Sequence, residues 1–268
     1  MKIEFNMIGG GFQHAFSSCG WERPKYVEWN KTDKSAPISV YIDSEVLTPT
    51  VDKSKFNIAW FCESPWVNKH YTHHFDNPES KERILSNFDL LFSCDREFIT
   101  KHPEVKYLLP HAFTWCEERN VFPKTKNWSI IASSKTEAPG HKLRHAIVEM
   151  YQGHLNVFGI GYNKIKSKNE GLNDFRFSFA IENVKVEGYW TEKIVDCFAT
   201  GTIPIYWGAN SVSEYFLEEG IVRIKDEFDL SIYVEEFYNS KIDIVRENFN
   251  RAINLPLPED YIYLNYLK

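Results

Sequence analysis

Phe175 to Gly208 reads FRFSFAIENVKVEGYWTEKIVDCFATGTIPIYWG, and it carries the clearest structural signal in the chain. Phe175, Phe177, Phe179 and Ile181 alternate with smaller or polar residues, the pattern of a half-buried strand. That strand runs directly into Glu182 and Asn183. A helix is expected from about Thr191, with Ile194, Cys197 and Phe198 at helical spacing on its buried face. Thr200-Gly201 ends it, and Ile203 to Tyr206 makes the next strand before Gly208. Strand, polar turn, helix, strand is the repeating unit of a parallel α/β protein, and open sheets of that kind bind ligands beyond the carboxyl ends of their strands. Lys193 falls in the first helical turn, where a cation opposes the helix dipole. The placement becomes favourable when an anionic ligand shares the site, because helix N-termini bind phosphate.

The same alternation extends outward in both directions. Ile3, Phe5 and Met7 form a first strand that ends at Gly9-Gly10-Gly11, and strands are expected over Ile38–Ile42, Ile58–Phe61, Phe88–Phe92 and Tyr107–Leu109. Lys81–Asn87 reads as a short helix between two of them. Glu117–Lys126 is charged, contains Pro123, and is the best linker in the chain. After it the pattern restarts with strand Trp128–Ala132, helix His141–Gln152 and strand Asn156–Gly159, and Arg246–Ile253 reads as a late helix. The expected architecture is α/β, two Rossmann-like domains over residues 1–120 and 121–250, with a tail of 251–268 packing back on the first.

Composition narrows the class of partner. The chain has 268 residues and a formal net charge of −6, which argues against non-specific binding to nucleic acid or anionic membrane. Five cysteines (Cys19, Cys62, Cys94, Cys116 and Cys197) include no C-x-x-C pair, so neither a disulfide framework nor a zinc ribbon is indicated. No apolar run is long enough for a signal peptide or a membrane span, so the expected location is cytoplasmic. Asn30-Lys31-Thr32 and Asn127-Trp128-Ser129 match the glycosylation triplet and are read as chance.

The central stretch closely resembles the donor-binding motif of the α-1,3-fucosyltransferases, glycosyltransferase family 10. The matching elements are Phe179-Ala180-Ile181-Glu182-Asn183, then Tyr189, then Thr191-Glu192-Lys193 at the helix start, then Ile203-Pro204-Ile205-Tyr206-Trp207-Gly208. Ile181 stands where the family usually has an aromatic residue, Val184 where it has a small polar one, and Trp190 lies between Tyr189 and Thr191. The likeness is strong over the C-terminal half and weak over the N-terminal half. It implies a fold of the GT-B type, with an acceptor-side domain over residues 1–120 and a nucleotide-sugar donor domain over 121–250 facing a cleft, and a cytoplasmic setting in a bacterium or a virus-infected host cell. It also implies an inverting transferase that moves fucose, or a related sugar, from a GDP-sugar to a glycan hydroxyl, with no cofactor and no essential divalent metal. Nucleotide sugar and glycan acceptor would be its partners, with no nucleic acid.

The resemblance also implies roles for single residues. Arg144-His145-Ala146-Ile147-Val148-Glu149 fits the family's R-x-A-x-x-E, so Arg144 would contact the donor diphosphate; read without the resemblance, it is a solvated arginine on a surface helix. Lys193 would neutralise the departing nucleoside diphosphate. Glu192, Asn183 and Tyr189 would line the nucleotide and sugar pocket, although Glu192 is also simple helix-capping chemistry. Glu182 reads equally well as a structural carboxylate holding the loop. Trp60-Phe61-Cys62-Glu63-Ser64-Pro65-Trp66 resembles an acceptor-domain E-S-P segment, which makes Glu63 the candidate general base for the acceptor hydroxyl. His70, His73 and His74 have helical spacing but lack a partnered carboxylate or cysteine motif, so a metal there is not expected. The chain contains no D-x-D triplet, which argues against the metal-dependent GT-A class, and Gly9-Gly10-Gly11 lacks the G-K-S/T of a P-loop. Two rival readings are a transferase of the same fold with another nucleotide sugar or a non-glycan acceptor, and a non-catalytic glycan-binding relative.

Overall fold

The computed structural model describes residues 2–47, 50–66, 70–109, 113–225 and 229–268. The chain divides into two compact units, one of Met1–His111, Val186–Tyr189 and Pro256–Lys268, the other of Ala112–Lys185 and Trp190–Leu255. Among the described residues no helix is long and apolar enough to cross a membrane.

In the first unit, strands β1 (Ile3–Ile8), β2 (Val27–Asn30), β3 (Ile38–Ile42), β4 (Phe56–Phe61), β5 (Leu90–Ser93) and β6 (Lys106–Tyr107) form one sheet ordered β2-β1-β3-β4-β5-β6, with every pair parallel. Strand β2 was not anticipated from the sequence, because four residues at a sheet edge carry too short an alternation to stand out. All five residues of β3 are buried, as expected of a strand covered on both faces. Tyr41, Ala59, Phe61, Tyr71, Phe75 and Phe98 belong to one apolar cluster of this unit. Helix α1 (Ser44–Leu47), α2 (His70–Asp76), α3 (Pro78–Leu85) and α4 (Arg96–Lys101) connect the strands. The last segment begins with the short helix α9 (Pro258–Ile262; α5–α8 belong to the second unit). Asp260 accepts from the backbone N–H of Lys25 and of Tyr26, and Tyr263 stacks on Tyr26 with ring centroids 5.6 Å apart.

The second unit holds strands β7 (Lys126–Ile131), β8 (Asn156–Phe158), β9 (Phe175–Ile181), β10 (Ile203–Trp207) and β11 (Val222–Arg223), again all parallel, ordered β11-β10-β9-β7-β8. Helices α5 (Pro139–Met150), α6 (Glu192–Ala199), α7 (Glu235–Ser240) and α8 (Ile242–Ile253) complete it. Strand β9 is not half-buried: all seven of its residues are buried, because it lies between β10 and β7 in the middle of the sheet. Its polar side chains are each partnered. Ser178 bonds Ser129, and Arg176 bonds Asn127 and pairs with Glu235 at 2.8 Å. Helix α6 is likewise buried on more than one face, from Ile194 through Ala199, including Asp196.

The end of α6 follows from its sequence. Gly201 has φ +70°, the left-handed conformation that costs glycine nothing. Gly201 N–H donates to Phe198 O at 3.0 Å and Thr202 N–H to Cys197 O at 2.8 Å, the paired bonds of a Schellman motif.

Candidate active site

In the second unit the chain first steps from β7 outward to β8, then returns to the other side of β7 for β9, β10 and β11. The direction of winding reverses between β7 and β9. At such a switch point neighbouring loops part, and they leave a crevice at the carboxyl ends of the strands. The cavity of about 470 Å³ lies there. Its walls include Ile131, Ala132 and Ser133 from the end of β7 and Phe179, Ala180 and Ile181 from the end of β9. That volume is within the ordinary range for a small-molecule site.

Close backbone approach shapes the rim. Gly140, in the first turn of α5, donates its N–H to Asn183 O at 2.9 Å, and a Cβ on it would lie 1.7 Å from Glu182 O. No other residue lets α5 enter so near the end of β9. Gly159, after β8, has φ +112°, and a Cβ there would lie 2.0 Å from Ala132 O.

The lining is strongly cationic for an acidic chain. It holds Arg144, Lys164, Lys166, Lys168 and Lys193 against Glu192 and Asp196. Lys193 Nζ donates to Thr191 Oγ1 at 2.8 Å and lies 3.4 Å from both Glu182 and Glu192. Burial opposes its charge, but Glu192 and Glu182 outweigh burial and hold its pKa above the usual lysine value. Lys168 Nζ is 2.6 Å from Asp196 Oδ2 and 3.3 Å from Glu192 Oε1. Its pKa is raised too, since the two carboxylates overcome desolvation. Asp196 in turn accepts from Thr114 Oγ1 and from Trp115 N–H at 2.8 and 2.7 Å.

Glu192 responds to the same balance from the other side. Burial pushes its pKa up, yet Lys168 and Lys193 with the Thr191 hydrogen bond hold it well below the usual carboxylate value. A carboxylate with a depressed native pKa contributes stability that is complete above its unfolded value, about 4.5, and is lost as pH falls below it. The melting temperature of the wild type is therefore expected to fall more steeply below about pH 4.5 than that of Glu192→Gln. Parallel curves for the two proteins would contradict the pairing of Glu192 with these lysines.

Glu182 is fully buried. Its carboxylate accepts from Thr191 N–H at 2.8 Å and from Thr191 Oγ1 at 2.7 Å, and Thr191 is the N-cap of α6. It therefore fixes the start of the helix that carries Glu192 and Lys193, the structural of its two sequence readings. Arg144 is 6 % exposed and lines the cavity, but its guanidinium also donates to Ile181 O (3.1 Å from Nε) and Asn183 Oδ1 (3.0 Å). Arg144 thus ties α5 to the end of β9 while reaching the cavity wall.

The structure brings Arg144, Glu192 and Lys193 together on the cavity wall and sets Asn183 beside Arg144 without making it a lining residue. Tyr189 is 2 % exposed and groups with the first unit. Glu63 also belongs to the first unit, just beyond β4, and is half-buried. Its N–H and that of Cys62 both donate to Asp43 Oδ1 at 3.0 Å, which pins the turn that presents it. His73 and His74 lie on α2, and the side chain of His70 is outside the described residues. Among the described residues no group of three or more His, Cys, Asp or Glu side chains is arranged to hold a metal ion. Sequence reasoning missed Lys164, Lys166, Lys168 and Asp196. The alternating Lys164-Ile165-Lys166-Ser167-Lys168 run in an acidic chain was a legible signal of an anion site.

Residues 122–236 match the family model described as glycosyltransferase family 10 (fucosyltransferase) C-term. Over 156 residues the chain is 40 % identical to the alpha-(1,3)-fucosyltransferase FucT of Helicobacter pylori, which covers 53 % of this chain and 31 % of that protein. The chain spans about a third of the length of the curated relatives it matches. A crystal structure of an alpha1,3-fucosyltransferase with GDP superposes with a TM-score of 0.53 at 17 % identity, covering 92 % of this chain and 82 % of that one. One of an alpha1,3-fucosyltransferase with GDP-fucose superposes with a TM-score of 0.51, also at 17 % identity and with the same coverage. The fold is GT-B, as the resemblance implied.

Proposed function

We propose that the chain, whose residues 122–236 match the glycosyltransferase family 10 (fucosyltransferase) C-terminal model, transfers fucose from GDP-fucose to a hydroxyl of a glycan, with inversion at the anomeric carbon. The observation that carries the reading is the cationic cavity at the β7/β9 switch point. A nucleoside diphosphate is the small-molecule group whose charge calls for it.

In the proposed reaction the acceptor oxygen attacks the anomeric carbon as the bond from that carbon to the diphosphate oxygen breaks. The electron pair leaves with GDP, whose charge grows in the transition state. Lys193 and Arg144 stabilise that growing charge, which accelerates the reaction where equal binding of the ground state would not. Lys168 keeps Glu192 and Asp196 from repelling the diphosphate. Glu192 and Asn183 are assigned to the nucleotide and sugar pocket, and Tyr189 is kept as a donor contact on the strength of the motif alone. Glu63 takes the acceptor proton. The lysines and Arg144 supply positive charge that a divalent ion supplies in metal-dependent transferases, so turnover is expected to persist in EDTA.

The test is release of GDP from GDP-fucose, and appearance of a fucosylated product, in the presence of a mixture of glycans with EDTA. Product with an inverted anomeric centre supports the proposal. GDP-fucose left intact by every acceptor would count against it.

A further inference from the structure

The segment between β1 and β2 reverses the usual order of burial. Ser17, Ser18, Cys19 and Gly20 are buried, whereas Phe16 and Trp21 on either side of them are 45 % and 44 % exposed. Small polar residues normally face water and large aromatics the core, so the inversion marks a surface kept for contact. The inward turn is firmly held. Phe16 N–H and Ser17 N–H donate to Gly20 O at 2.9 and 3.2 Å. Ser18 donates twice to Glu259, from N at 3.0 Å and from Oγ at 2.5 Å, and Trp29 Nε1 donates to the same carboxylate at 2.8 Å. Glu259 is itself fully buried.

The outward side is ordered as well. The rings of Phe16 and Trp21 meet edge to face with centroids 6.0 Å apart, and His14 meets Trp21 at 6.4 Å. The Arg23 guanidinium lies 3.8 Å over the Phe16 ring. A cavity of about 330 Å³ is lined in part by Gln13, His14, Phe16, Arg23, Glu28 and Lys31, and Trp21 packs on two of these, Phe16 and His14. Lys31 fixes one wall by donating to the carbonyls of Phe12, Gln13 and Ala15. In a chain of net charge −6, the residues lining this cavity include three cations, Lys2, Arg23 and Lys31, and one carboxylate, Glu28, with Glu259 acting on Lys31 from the buried side.

We propose that this aromatic platform and its cavity bind a saccharide that carries a carboxylate. A pyranose has a flat C–H face and a rim of hydroxyls. It would set that face on Trp21, an aromatic ring with polar neighbours at its edge. Its hydroxyls reach Gln13 and His14, and its carboxylate meets the planar donor fork of Arg23. Because Glu259 already holds the turn, little conformational freedom remains to be lost on binding. The choice of a saccharide rests on the glycan acceptor proposed above; the negative charge comes from the local cations alone.

The test titrates a hyaluronan tetrasaccharide, which carries uronates, and the neutral N-acetylchitotetraose, following ligand signals by saturation-transfer NMR. Each protein is also titrated with GDP. Wild type is expected to bind the uronate probe with Kd of about 1 mM and the neutral probe roughly 5- to 10-fold more weakly. Trp21→Ala should weaken both by about 10-fold, and Arg23→Met should bind the two equally. Both variants should keep the wild-type melting temperature and GDP affinity, since both side chains lie on the surface. Unchanged saccharide binding in Trp21→Ala, or no binding of either probe at about 10 mM while GDP still binds, overturns the proposal. Loss of GDP binding with Trp21-dependent saccharide binding intact would instead strike only the donor reading.

Discussion

Lys193→Met is expected to lower kcat/KM for GDP-fucose by about 100- to 1,000-fold, the usual effect of removing one positioned charge from a transition state. Lys193 stands in the first turn of α6, lines the cavity, and has its charge enforced by Glu192 and Glu182. Methionine keeps most of the length and apolar bulk of the side chain and deletes the ammonium. GDP affinity should fall by less than the rate, because the charge on the departing diphosphate is larger in the transition state than in bound donor. Lys193→Arg should recover part of the rate, since the charge survives in a different shape. A variant of unchanged melting temperature that keeps near wild-type kcat/KM would remove Lys193 from the chemistry. Arg144→Met serves as a comparison with a mixed cause: its guanidinium also bonds Ile181 O and Asn183 Oδ1, so activity and stability should fall together.

The largest stability effect is expected at Glu182. Replacing it with alanine removes both acceptors of Thr191 and the ion-pair partner of Lys193 from a fully buried position. Breaking a buried pair by deleting one partner costs about 3–5 kcal/mol, because the group left behind stays desolvated. Glu182→Gln keeps the volume and one acceptor, and its expected cost is about 1–3 kcal/mol. Denaturant midpoints at neutral pH measure both. If Glu182→Ala unfolds at the wild-type midpoint, Glu182 does not hold the start of α6.

The sequence made the second unit legible because its signals are local. Thr200-Gly201 ends α6 through the two backbone bonds a left-handed glycine allows, and Thr191 begins it as its N-cap. Three of the assigned donor residues, Arg144, Glu192 and Lys193, fall on one cavity because each sits at a helix start or in an early turn, where pattern reading is most direct. What stayed hidden depends on distant partners. Arg176 and Ser178 made β9 look half-exposed, and their burial is explained only by Asn127, Glu235 and Ser129 from other elements. The lysine run ending at Lys168 is visible in the sequence, but its pairing with Asp196, 28 residues on and 2.6 Å away, is not. Gly140 drew no attention because its need is steric: the Glu182 carbonyl occupies the space of its missing Cβ. In the first unit, the buried Ser17–Gly20 turn was unreadable for the same reason, since its anchor is Glu259 near the other end of the chain.

The most direct test of the central claim is calorimetric titration of the protein with GDP, GDP-fucose, GDP-mannose and UDP-glucose, with Mn²⁺ and with EDTA. The cationic switch-point cavity predicts that GDP and GDP-fucose bind in EDTA and that Lys193→Met weakens both. Failure of every nucleotide to bind under either condition would contradict the donor site and, with it, the proposed transfer.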